Sequence, residues 1–156
     1  MADKTQAVTD YLDEQGIEYE LVEHGERFTA AGEARASGVG PEDAAKEVAL
    51  RKNGGYVFAV LQASDRLDLN KVRELLDEAK LRLATEDELA EDFPQFELGA
   101  LPPFGSMLAI EQVVDERLLD HDRVLCNAGD HRHSLKVDPS EFVRLTGARV
   151  ADIRQD

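Results

Sequence analysis

Four groups of residues carry side chains suited to a reactive or binding site. His121, His131 and His133 lie near Asp122 and Asp130. Imidazoles and carboxylates are ordinary zinc ligands, and His131 and His133 would point the same way if both sat on one strand. Their spacing matches no specific metal motif, and surface or hydrogen-bonded histidines are the simpler reading. Cys126, the sole cysteine, would need an exposed, low-pKa thiolate beside a base to act as a nucleophile. The run Arg123-Val124-Leu125-Cys126 reads instead as a strand, in which a lone Cys is a small buried hydrophobe. Asn53-Gly54-Gly55 lacks the Gly-Lys-Ser/Thr of a triphosphate loop and reads as a hairpin turn. The fourth group is dispersed: Lys46 at the start of a strand, the loop from Gly99 to Gly105, and Asn127-Ala128-Gly129-Asp130-His131. Taken singly, these are a solvated lysine, a turn and an exposed histidine.

The elements that must position these residues follow from the apolar pattern. Residues 3–15 form an amphipathic helix through Ala7, Val8, Tyr11 and Leu12, stopped at Gly16. Ile17, Tyr19 and Leu21 alternate with Glu18 and Glu20 as a half-buried strand. Thr29 caps a short Ala-rich helix ending near Gly38, and Pro41 opens another helical turn. Two β-rich runs, 47–52 and 56–62, flank the Gly-rich turn as a hairpin. Asn70 caps a helix over 71–79, and Thr85 with Glu88 makes a capping box for a helix reaching Asp92. Residues 93–105, rich in Pro, Gly and Phe, form an apolar loop of fixed shape. Strands are expected at 107–114, 123–127 and 134–137, and a last helix at 139–145 behind Asp138. With no repeat or linker, the expectation is one α+β domain over 1–156 with a mixed, largely antiparallel sheet.

The 156 residues include 33 acidic and 18 basic side chains, a net charge of −15 at a pI near 4.6. Six Lys stand against twelve Arg, with acid spread from end to end. Such a coat suits high salt, where the Debye length falls to about 3 Å at 1 M. It disfavours a nucleic-acid binder driven by a basic patch, so any RNA contact must be local and sparse. The acidic helix before Asp92 should lie away from a phosphate backbone. No stretch reaches the ~18 to 20 apolar residues of a membrane span. Residues 1–6 lack the basic and apolar regions of a signal peptide, which implies the cytoplasm.

Taken in order, several segments resemble the YbaK/EbsC family of aminoacyl-tRNA deacylases, related to the editing domain of bacterial prolyl-tRNA synthetase. They are Phe28-Thr29-Ala30-Ala31 with Glu33, Ala45-Lys46-Glu47-Val48-Ala49-Leu50, Gly55-Tyr56-Val57-Phe58-Ala59-Val60, Arg66-Leu67-Asp68-Leu69, Gly99-Ala100-Leu101-Pro102-Pro103-Phe104-Gly105, Asn127-Ala128-Gly129-Asp130-His131 and Val150-Ala151-Asp152-Ile153. The resemblance covers nearly the whole chain. It implies a barrel-like sheet with surrounding helices. It also implies metal-independent, cofactor-free hydrolysis of the ester joining a wrong amino acid (Ala, Cys or Ser) to tRNA, typically one for proline. It further implies that Lys46 holds the terminal phosphate or ribose, and that Gly99 and Pro103 belong to a Gly-x-x-x-Pro loop approaching the ester. His131 matches the family histidine, with His133 as the fallback. Phe28, Thr29, Leu101, Gly105 and Ser134 are plausible lining residues. The implied partners are aminoacyl-tRNA and, for delivery, an aminoacyl-tRNA synthetase; oligomeric state is left open. A module of the same fold that binds an aminoacyl or nucleotide-like ligand without turnover is the other reading.

Overall fold

The structure, a computed structural model, describes residues 3–24 and 37–156. Phe28, Thr29 and the short Ala-rich helix expected near them lie outside those residues. The elements are α1 (Asp3–Glu14), β1 (Glu20–Glu23), β2 (Ala45–Lys52), β3 (Gly55–Gln62), α2 (Leu69–Leu76), β4 (Arg82–Leu83), α3 (Glu86–Asp92), β5 (Glu111–Asp115), β6 (Val124–Asn127), β7 (His133–Val137), α4 (Ser140–Thr146) and β8 (Arg149–Ala151). Among the described residues they form two sheets, β1-β7-β6 and β4-β2-β3-β5-β8. The first is antiparallel; in the second, β5 runs parallel to β3 and β8 parallel to β5.

The expected α+β class is present, but the sheet is not closed into a barrel. Two residues of β4 pair with the outer side of β2, and the link from β2's start to β6 is an isolated bridge between Ala44 and Leu125. The two sheets instead share the main core. Strand alternation explains the packing. Tyr56, Phe58 and Val60 of β3 join the main core with Val8 and Leu12 of α1, Leu101, and Val124, Cys126 and Leu135 of the smaller sheet. Val57 and Ala59 face the other way, onto Val72 of α2 and Ile153. Cys126 is thus a buried core residue, 1% exposed.

Several boundaries differ from the expectations for local reasons. The hairpin closes on the Lys52–Gly55 pair as expected, with Gly54 at φ +80°. Asp68, not Asn70, caps α2, accepting from the N–H groups of Asn70 and Lys71 at 3.0 and 3.3 Å. The run expected as a strand over 107–114 begins as a 3-10 turn, Gly105–Leu108, and becomes β5 after Ala109 takes the left-handed conformation. The first strand starts at Glu20 because the Ile17 N–H still bonds the Leu12 carbonyl at the end of α1. The capping box at Thr85 and Glu88 is formed as read. Strands β4 and β8, two and three residues long, are too short to leave an alternation signal.

Gln112, 1% exposed, clamps the far end of the apolar loop to the sheet. Its Oε1 accepts from Gly105 N–H at 2.9 Å, and its Nε2 donates to the carbonyls of Pro103 and Phe142 at 2.9 and 3.3 Å. Replacing it removes the side-chain partner of the Gly105 N–H and the Pro103 carbonyl, while the Phe142 carbonyl still accepts from Thr146 Oγ1 at 2.6 Å. Gln112→Leu is expected to lower stability by about 2–4 kcal/mol, read from urea unfolding; an unchanged midpoint would show the clamp to be dispensable.

Candidate functional site

The site is assembled around the tight connection between β6 and β7. Gly129, at φ +95°, occupies a conformation that an L side chain rarely adopts. A Cβ there would lie 2.7 Å from the Lys4 carbonyl oxygen and 3.1 Å from the Phe96 ring. Backbone therefore approaches backbone where α1, the apolar loop and the β6–β7 connection meet. Two reciprocal hydrogen bonds use that approach: Gly129 N–H donates to Ala100 O at 3.0 Å, and Glu97 N–H donates to Gly129 O at 2.9 Å. Asn127 Nδ2 adds a longer bond to Gly99 O at 3.4 Å. Gly99 itself sits at φ +82°.

Asp130, 1% exposed, stiffens the turn. Its Oδ1 accepts from the N–H groups of Arg132 and His133 at 2.8 and 2.9 Å, and its Oδ2 from Thr5 Oγ1 of α1 at 3.0 Å. Burial works to raise the Asp130 carboxyl, but the Arg132 N–H, the His133 ring and Thr5 outweigh it and hold it below its ordinary value. His133 opens β7 with Nδ1 2.9 Å from Asp130. His131 precedes the strand, so the two histidines do not share one strand. Its Nε2 lies 2.6 Å from Leu98 O, and its N–H donates to Glu97 Oε2 at 3.3 Å. A carbonyl only accepts, so Nε2 carries the hydrogen of that bond.

The structure thus joins Gly99, Leu101 and His131 into one unit, and His131 rather than His133 is the histidine that touches the loop. Leu101 lies in the core and also lines a cleft of about 240 Å³ with Leu89, Phe93, Phe96 and Leu98. Pro103 and Gly105 stand at the loop's clamped end, and Ser134 is fully buried with its Oγ 2.9 Å from His24 Nε2. Lys46 is placed apart, with no hydrogen bond or ion pair to this unit among the described residues. It shares the outer face of β2 with Val48 and Leu50, and its Nζ donates to the Asp65 carbonyl. Burial lowers the Lys46 ammonium, opposed by Asp65 and reinforced by Arg66. His121 is also separate, bonded to Gln62 Oε1 at 2.7 Å and paired with Asp43 at 3.2 Å. Among the described residues, no three His, Cys, Asp or Glu side chains gather as a metal site.

One buried acid escaped the sequence reading. Glu47 of β2 lies on the inward face with Ala45 and Ala49, opposite Val60. Its stem is partly exposed, yet both carboxylate oxygens are shut off from solvent and have no hydrogen-bond partner among the described residues. Burial pushes this carboxyl well above the usual range. The available signal was an acid at a position that strand alternation assigns to the same face as two core alanines.

A family model described as "Aminoacyl-tRNA editing domain" matches residues 24–145. The prolyl-tRNA editing protein ProX of Acetoanaerobium sticklandii is 25% identical over 152 residues, spanning 94% of this chain and 92% of its own. A crystal structure of a candidate trans-editing enzyme for prolyl tRNA synthetase superposes with a TM-score of 0.88 at 28% identity, covering 100% of this chain and 99% of that one. A scaffold protein carrying a computationally grafted epitope has the same TM-score at 27% identity, also covering 100% and 99%.

Two outcomes follow from this geometry. Gly129→Ala is expected to cost about 2 kcal/mol or more in chemical unfolding, because positive φ and a 2.7 Å contact act together. Glu47→Gln is expected to change stability less near pH 4, where most of the unfolded-state carboxyl is protonated as well as the folded one, than at higher pH. Above the unfolded value of about 4.3, only the folded chain keeps the proton, so wild-type stability falls with rising pH while the amide variant is spared. Urea midpoints at pH 4 and pH 8 should therefore diverge in favour of the variant; parallel profiles would contradict the burial argument.

Proposed function

The chain belongs to the aminoacyl-tRNA editing domain family, and from that premise we propose that it removes a wrongly attached amino acid from tRNA in trans, by metal-independent hydrolysis of the aminoacyl ester. The observation that carries this reading is the pair of backbone hydrogen bonds that sets the Gly99 loop against Gly129 and brings His131 onto Leu98. A loop held by backbone bonds at a glycine lets main-chain groups come close to an ester without a Cβ in the way. The substrate is an activated ester, so orientation of water and stabilisation of the developing oxyanion are the main requirements. Water oxygen bonds to the ester carbonyl carbon and the bond from that carbon to the ribose oxygen breaks. The ribose oxygen takes up a proton, leaving free amino acid and tRNA with a free terminal hydroxyl.

Lys46 supplies the cation for the terminal phosphate or ribose, and its half-buried setting supports that role because burial strengthens a charge-assisted bond. The Gly99–Pro103 segment faces the ester, and His131 orients the aminoacyl group. Substrate groups such as the ribose 2′-hydroxyl assist proton movement. Ala, Cys and Ser on tRNA(Pro) are the proposed substrates; pockets separate such small side chains by only ~1–3 kcal/mol per methylene. The relatives named for prolyl-tRNA editing support the choice of tRNA. With a net charge of −15, the tRNA contact is sparse and is aided by high salt or by delivery from a synthetase.

The test is deacylation of Ala-, Cys-, Ser- and Pro-charged tRNA(Pro) at high salt with chelator present, comparing wild type with Lys46→Ala. Chelator-resistant release from at least one mischarged tRNA is expected, slowed at least about 100-fold by the substitution. Binding without release by folded protein would replace this reading with that of a non-catalytic ligand module.

A further inference from the structure

The outer face of the smaller sheet, turned away from the main core, carries a cleft of about 450 Å³ that the hydrolysis described above does not use. Strand register fixes its floor. Glu20 of β1 stands opposite Lys136 of β7, and Lys136 opposite Leu125 of β6, so the three share one row. Their neighbours Leu135 and Cys126 alternate to the other face and enter the main core. Ala44 and Val39, from the segment before β2, cluster with Leu125. Asp43 and Arg123, the latter just before β6, stand at the sides of the cleft.

Two cations line this cleft without a counter-charge. The side chains of Arg123 and Lys136 make no hydrogen bond or ion pair among the described residues, in a chain with 33 acidic against 18 basic residues. Arg51, Lys52, Lys71, Arg82 and Arg154, by contrast, are all ion-paired. Glu20 faces Lys136 across the ladder yet does not pair with it, and Asp43 is held by His121 at 3.2 Å. Arg123 is exposed and Lys136 half-buried, so an anion can reach both, and a bond to the second is strengthened where water is partly excluded.

The next row of the same face leads to the editing site. Two positions along each strand, Val22, Ser134 and Asn127 stand in register, and Asn127 Nδ2 donates to Gly99 O at 3.4 Å. On β2, Lys46 follows Ala44 by two positions and shares its face. Ala44 bridges to Leu125 in the parallel sense, so Lys46 lies towards the Asn127 row. The two rows are about 7 Å apart, two residues of strand. That is close to the separation of successive phosphates in an extended single strand.

We infer that this cleft holds the phosphodiester one nucleotide before the terminal one of an aminoacyl-tRNA, with Arg123 and Lys136 as its cations. The inference rests on the editing reading, in which Lys46 takes the terminal phosphate or ribose, and adds the surface along which the single-stranded 3′ end runs. Arg123 offers a planar fork that fits two phosphate oxygens, and Lys136 a point charge. Two such contacts suit the sparse, local RNA contact that a net charge of −15 permits.

The experiment uses two probes ending in non-hydrolysable 3′-alanylamino-3′-deoxyadenosine, a dinucleotide with one phosphodiester and a trinucleotide with two, bound to the full chain at low salt and measured by calorimetry. Wild type is expected to bind the trinucleotide about 10-fold more tightly than the dinucleotide. The folded double variant Arg123→Gln, Lys136→Gln should lose most of that advantage and leave dinucleotide affinity unchanged. Its salt slope for the trinucleotide should be shallower by about 1.4, the loss of two phosphate contacts on a single strand. Lys80→Gln, which removes an exposed cation from a different cleft, should keep the advantage. A double variant that retains the advantage overturns the inference, as does a Lys80→Gln that loses it equally. Inorganic phosphate binding wild type as tightly as the trinucleotide does would assign the cleft to a free anion and overturn the RNA assignment. Failure of wild type to bind the dinucleotide at all would count against the editing reading itself, and the inference would fall with it.

Discussion

The contact on which the site depends is the close approach of Gly129 to the 97–101 loop, where two backbone hydrogen bonds at 3.0 and 2.9 Å replace what any larger residue would obstruct. Their effect is geometric more than energetic, since a typical internal hydrogen bond contributes only about 1 kcal/mol net. They fix the loop by its main chain, so the side chains of Leu98, Leu101 and Phe96 remain available to pack. Asp130 ties the same turn to Thr5 of α1, and Gln112 fixes the loop's other end. The loop is therefore anchored at both ends to rigid elements, as a preorganised binding loop requires.

The two faces of β2 divide the polar work. Lys46 and Glu47 are adjacent in sequence, yet alternation sends one to the outer face beside Asp65 and the other to the interior. Burial acts on both in the direction that disfavours charge, lowering the ammonium and raising the carboxyl. The remaining acid is largely surface, and many of the described cations, among them Arg51, Lys52, Lys71, Arg82 and Arg154, are engaged in ion pairs. Under the proposed function this leaves few positive groups for a phosphate backbone, consistent with sparse and local contact.

The local chemistry of the chain was legible wherever one short segment decided the outcome. The Asn53-Gly54 hairpin, the Thr85 capping box, the burial of Cys126 and the amphipathic α1 each depend on residues within a few positions of one another. The ordered motifs around Lys46, Gly99 and His131 likewise identified the family matched over residues 24–145. The choice between Asp68 and Asn70 as helix cap was not legible, because both side chains can accept and only the docked start of α2 selects one.

Distant parts of the chain decided the rest. Whether the sheets close depended on how little of β2's outer edge finds a partner, a property of pairings between segments far apart in sequence. Which histidine meets the loop depended on a tertiary bond from Leu98, thirty-three positions away. The isolation of Glu47 depended on what surrounds a carboxyl in three dimensions. By itself the sequence determined the elements, the family and the candidate residues, because propensity, capping and strand alternation act over a few positions. Tertiary structure alone decided which polar groups meet and which are left unsatisfied, because burial and hydrogen-bond partnership are set by segments that come together only on folding.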